Sequence, residues 1–101
     1  MKISKAIRAG IKLDGKQLIG TLYEFDENGN ATGSCAIGAA KIGILGTINR
    51  DILEKNDSYD LFPGIHSIYD GRHIIFSEMA NRNDSGETRE AIADWLESIG
   101  R

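Results

Sequence analysis

The sequence predicts a mainly α domain with a minor β part (α+β): about five short helices around a buried central helix at 34–43, with one small β-hairpin at 17–33. Three observations predict it. Cys35-Ala36-Ile37-Gly38-Ala39-Ala40 is small and apolar on every side, which suits a helix surrounded by protein. Ile92, Trp95, Leu96 and Ile99 form one helical stripe near the C-terminus. Asn28-Gly29 is a turn signal between two segments with strand character. With 101 residues, the chain is expected to form one domain spanning 1–101.

Each element has a local reason. Ile3, Ala6, Ile7 and Ile11 give a stripe for a first helix over 3–11, with Ser4 as its cap and Gly10 near its end. Gln17 to Phe25 is rich in branched and aromatic residues and reads as a strand. Residues 31–33 return as its partner. Ser34 is the expected cap of the central helix, whose single charge is Lys41. Thr47 is placed to cap a helix at about 48–55, with Ile48, Ile52 and Leu53 inward. Residues 56–70 read as an irregular loop containing Phe62-Pro63-Gly64. Residues 65–77 fit either a hairpin around Asp70-Gly71 or a helix at about 71–82, and Glu78-Met79-Ala80 favour the helix. Asn81 to Gly86 reads as a break. Thr88 then caps a last helix at 88–99, in which Trp95 is expected to be mostly buried.

Composition narrows the function. The chain is 41% hydrophobic and 27% charged, as in an ordinary globular domain. A net charge of −3 speaks against nucleic acid as a partner, because phosphate binding rests on clustered Lys and Arg. Lys5, Arg8 and Lys12 share a face of the first helix, and a solvated surface accounts for them. A single cysteine excludes an internal disulfide and a multi-cysteine metal site. No apolar run is long enough to span a membrane, and no secretory signal core opens the chain, so a cytoplasmic protein is expected.

Two segments carry a resemblance. Ser34-Cys35-Ala36-Ile37-Gly38-Ala39 is one; Asn83-Asp84, Thr88-Arg89-Glu90 and Ile92-Ala93-Asp94-Trp95-Leu96 make up the other. Together they resemble a loose group of small bacterial and phage proteins of unknown function, which pair an "SCALGA"-like helix with a terminal "ND…T/S-R-E-x-I-A-x-W" helix. The resemblance implies a compact, mainly helical domain and a phage or mobile-element origin, with host modulation or anti-defence as one form of its role. It implies no activity, cofactor or site residue. Some members carry a further cysteine pair near residues 60–70. This chain lacks it, so no metal role is expected from that quarter.

Among chemical readings, a cysteine hydrolase is the sharpest. Cys35 opens a helix, where a thiolate is favoured, and His66 and His73 follow it, with Asp70 or Asn81 available to orient either one. The bland surroundings of Ala36 to Ala40 oppose it, and a packed cysteine is the expected role. Cys35→Ser is then expected to cost about 1–3 kcal/mol. His66 and His73 lack a third metal ligand at a motif spacing. Asp26, Asn28 and Asn30 lack the glycine and glutamate that a calcium loop needs, since Ala31 and Ile37 stand there. Residues 33–38 carry no phosphate-loop signature. No metal or cofactor is expected. The function expected is that of a small soluble, non-enzymatic binding or regulatory protein acting through protein contacts or self-association. Tyr59, Leu61 and Phe62 are the candidate interface, at least one of them exposed. A small-ligand binder under the 56–70 loop is the third reading.

Overall fold

In the computed structural model, which describes residues 1–62 and 72–101 and the side chains of 1–62 and 75–101, six helices and a two-stranded sheet are present among the described residues. They are α1 (Ile3–Ile11), β1 (Tyr23–Phe25), β2 (Ala31–Ser34), α2 (Ala36–Leu45), α3 (Arg50–Lys55), α4 (Ser58–Leu61), α5 (Arg72–Asp84) and α6 (Arg89–Ser98). The mainly α architecture with one hairpin is the one expected. The added helix is the single turn α4, inside the segment expected to be irregular.

The central pair is α1 against α2. On α1, Ile3, Ala6, Ile7 and Gly10 are buried. On α2, Ala36, Gly38, Ala39, Ala40 and Ile42 are buried, so the helix has almost no solvent face. The two backbones touch. A methyl group built on Gly10 would lie 1.9 Å from the Ala39 carbonyl oxygen, and one on Gly43 would lie 1.7 Å from that of Ala6. Small residues let α2 carry neighbours on several sides. The main core joins α1 and α2 to Phe62, Phe76 and Met79 on one side and to Ile92, Ala93 and Leu96 of α6 on the other. A smaller cluster of Ala31, Ile42 and Leu53 seats the hairpin and α3. No helix among the described residues is long and apolar enough to cross a membrane.

The hairpin differs from expectation in one respect. β1 and β2 are antiparallel, with an irregularity between Glu24 and Phe25. Residues 17–25 do not form one strand, however. The chain first runs beside the other edge of β2: Ser34 N–H donates to the Lys16 carbonyl (2.9 Å) and Leu18 N–H to the Ser34 carbonyl (2.9 Å). It then turns at Gly20, whose φ of 79° belongs to the left-handed region open to glycine, and enters β1. β2 therefore lies between two chain segments.

Helix starts also shift. Lys2, not Ser4, precedes α1; no side chain caps it, and Ser4 is buried in the first turn. Cys35, not Ser34, caps α2, its sulfur accepting from Gly38 N–H at 3.4 Å. Asn49, not Thr47, caps α3 by accepting from Ile52 N–H at 3.2 Å. Thr47 instead accepts from Asn49 N–H. Leu53 is fully buried as expected, but Ile52 is exposed. Thr88 caps α6 as expected. Trp95 is mostly buried as expected, packed against the main core, and the Arg82 guanidinium lies 4.2 Å above its ring centre. Residues 72–84 form a helix that continues through Asn81 to Asp84, so the break expected there begins at Ser85. The alternative hairpin's residues 65–71 lie outside the described residues.

The α1–α2 contact yields a prediction whose sign opposes helix propensity. Alanine would favour each helix by about 1 kcal/mol over glycine. The added methyl meets rigid backbone, and overpacking typically costs about 1–3 kcal/mol. Gly43→Ala and Gly10→Ala should therefore both be destabilised, by up to about 2 kcal/mol net in urea unfolding; a gain in stability would contradict this packing.

Candidate functional site

Two features meet at the start of α2: a buried polar network and an open, mainly apolar cleft. The network begins with Asp14, in the loop after α1. Its Oδ1 accepts from Arg89 Nη1 at 2.6 Å, and the two side chains are 0% and 7% exposed. Ser34 Oγ donates to the other Asp14 oxygen and accepts from Arg89 Nη1 at 3.1 Å. Ser34 is thus drawn into this pair rather than onto α2.

Gln17 and Asn83 extend the network. Asn83, fully buried in the last turn of α5, accepts through Oδ1 from Ala36 N–H (3.0 Å) and from Gln17 Nε2 (2.9 Å). Its Nδ2 donates to the Leu18 carbonyl at 2.7 Å. Gln17 Nε2 also donates to the Glu87 carbonyl (2.7 Å), and its Oε1 accepts from Arg89 N–H (3.0 Å). A buried network with its donors and acceptors matched fixes geometry. It offers no free group for chemistry. Sequence reasoning missed Asp14, Gln17, Asn83 and Arg89 as a unit. The available signal was the clustering of Ser34, Asn83 and Arg89 in the two motif segments.

The cleft has a volume of about 200 Å³ and is lined by Gly20, Thr21, Leu22, Cys35, Ile37, Ala80 and Asp84. Its near wall is a loop held at several points. Gly20 N–H donates to Asp84 Oδ1 at 2.9 Å, and Cys35 N–H to the Leu22 carbonyl at 3.1 Å. The loop nevertheless presents Ile19 (61% exposed) and Leu22 (42% exposed) to solvent. Asp84 forms no ion pair with a basic side chain among the described residues.

Cys35 reaches the cleft floor while remaining buried. Burial pushes its thiol pKa above the ordinary value of 9.0. The hydrogen bond from Gly38 N–H works the other way, and the Asp84 charge adds to the rise. Desolvation wins over the helix start, so the sulfur is a neutral thiol at pH 7. His73 belongs to α5, seven residues before Ala80 and so about 10 Å along the helix axis. Its side chain, and all of His66 and Asp70, lie outside the described residues. Asn81 is exposed on α5.

Phe62 is buried, and Tyr59 and Leu61 are half-buried against the main core, so none of the three belongs to the exposed surface. Tyr59 packs edge-on against Phe76, with ring centres 5.0 Å apart. Asp26 accepts from the N–H groups of Asn28 and Asn30, closing its own turn. No cluster of three His, Cys, Asp or Glu suited to a metal occurs among the described residues. Lys41 is 6% exposed, with its ammonium 5.6 Å from the centre of the Tyr23 ring. Burial lowers its pKa, and the charges of Asp57 and Glu54 oppose that shift. Comparison with models of known protein families, with curated protein sequences and with solved structures finds no match.

Breaking the Asp14–Arg89 pair strands a buried charge, which costs about 3–5 kcal/mol. Arg89→Met should lose that much stability in urea unfolding, and adding Asp14→Leu should recover part of it. An Arg89→Met loss under about 1 kcal/mol would show the pair to be incidental.

Cys35 gives a second test. Native protein should react with iodoacetamide far more slowly at pH 7 than urea-unfolded protein. Because the folded pKa is raised, the thiol's contribution to stability is fully present below pH 9 and is lost as pH rises through the folded value. Serine can still accept from Gly38 N–H, so Cys35→Ser should cost less than the range expected from sequence. Cys35→Val, which leaves the helix uncapped, should cost about 1 kcal/mol. Fast native labelling at pH 7 would restore the hydrolase reading.

Proposed function

We propose that this chain is a small non-enzymatic binding or regulatory protein that acts through protein contacts made at the mouth of the Leu22–Asp84 cleft. One observation carries the reading: Ile19 and Leu22 are held out in solvent on a pinned loop beside an open apolar cleft. Flexible apolar loops usually fold back onto a core. These two side chains are kept exposed by backbone bonds on either side, and such preorganisation lowers the entropy lost on binding.

The cleft's size favours a protein partner over a metabolite. Small-molecule sites usually enclose about 300–1,000 Å³. This cleft has about 200 Å³ and an open side. An apolar cavity of about 150 Å³ holds one benzene, so there is room here for one apolar side chain. The protonated, buried thiol of Cys35 gives the alternative, a hydrolase using Cys35 with His73 or His66, little support. A ligand beneath residues 56–70 would depend on positions outside the described residues. A cytoplasmic setting and a phage or mobile-element role in host modulation rest on the sequence reading alone.

A photo-crosslinking amino acid at position 19, in the cells that make the protein, should yield an adduct of defined mass. The same group at position 90, exposed on α6, should not. Adding Leu22→Asp should remove the adduct without lowering the unfolding midpoint. Equal crosslinking at both positions, or none at position 19, would overturn this reading.

A further inference from the structure

We infer that the cleft takes an apolar side chain from a protein segment that carries a lysine or arginine within one or two residues of it. This rests on the protein-contact reading above and specifies the partner's chemistry. Leu22, Ile37 and Ala80 give the cleft an apolar lining, and Asp84 is the one charged residue among the described residues that line it. That carboxylate accepts from Gly20 N–H and from Asn83 Nδ2, both neutral donors, and no cationic side chain among the described residues pairs with it. An apolar group seated beside it brings its flanking residues within reach of an exposed negative charge. A basic flank gains there and an acidic flank is repelled. The same charge disfavours an anionic lipid surface as the occupant, as does the chain's net charge of −3.

The test uses the full-length, isotope-labelled protein and four capped Gly/Ser peptides observed by NMR titration. Three contain a central Leu followed by Arg, Gln or Glu; the fourth has Ser-Arg at the centre. The Leu-Arg peptide should shift the amide signals of Leu22, Ile37 and Ala80 and bind about three- to fivefold more tightly than Leu-Gln, the scale of one surface ion pair. Leu-Glu should bind more weakly still, and Ser-Arg should leave these signals unmoved. Asp84→Asn keeps an acceptor for Gly20 N–H and should abolish the difference between Arg and Gln.

If Leu peptides bind the cleft with no flank preference, or if Asp84→Asn preserves the preference, the inference falls and the protein-contact reading stands. Silence of the cleft signals with every peptide at millimolar concentration, despite crosslinking from position 19, overturns the inference alone. Loss of position-19 crosslinking overturns the contact reading itself. Shifts with vesicles of phosphatidylcholine and phosphatidylglycerol, or on protein concentration without peptide, would assign the surface to a membrane or to a second copy and overturn the inference.

Discussion

Asn83 holds together three segments far apart in the chain. Its carboxamide bonds at once to the first amide of α2, to the side chain of Gln17 and to the carbonyl of Leu18. Each of these groups is polar and lies close to the apolar core, where an unmatched donor or acceptor costs about 1–3 kcal/mol. One side chain therefore fixes where α5 ends, where α2 begins and how the 14–18 loop crosses between them. Arg89 and Asp14 repeat the arrangement one step away, through Ser34. The aliphatic core supplies cohesion without direction. This network supplies the direction.

The cleft follows from that arrangement. With Leu18 bound to Asn83 and Gly20 bound to Asp84, the next residue of α5, the chain has little freedom before it must enter β1. Ile19 and Leu22 are left facing water because their backbone positions are already determined. The cleft floor is the start of α2, where Cys35 serves as cap and lining together. A cysteine used in this way is matched to a neutral environment. Its raised pKa is a consequence of the packing that makes the cleft apolar.

Much of the fold was legible because it depends on spacing and composition. The stripe Ile3, Ala6, Ile7 sets α1, and Ile92 and Leu96 set α6. The small residues of α2 announced a buried helix directly. What escaped notice depends on residues distant in sequence. Ser34 has the better capping side chain by local rules, yet its hydroxyl goes to Asp14, 20 residues earlier, and to Arg89, 55 residues later. Residues 17–25 have strand composition throughout, but Gly20 divides them. Phe62 sits in a segment with loop chemistry and is buried in the main core beside Phe76 of α5. The cleft was not legible at all: Leu22 and Ala80 meet only through the tertiary fold.

The contact between α1 and α2 bears on how such a sequence can change over time. Most helix interfaces drift by compensation, one side chain shrinking while its neighbour grows. Here the facing groups at Gly10 and Gly43 are the main chain itself, with nothing smaller to substitute on either side. Neither position can lose volume, and any gain must separate the helices. Divergent copies of this chain should vary freely on the outer faces of α1 and α6 while holding this crossing almost letter for letter. The pair of glycines 33 residues apart, Gly10 and Gly43, is therefore a more durable signature of the fold than any residue of its cleft.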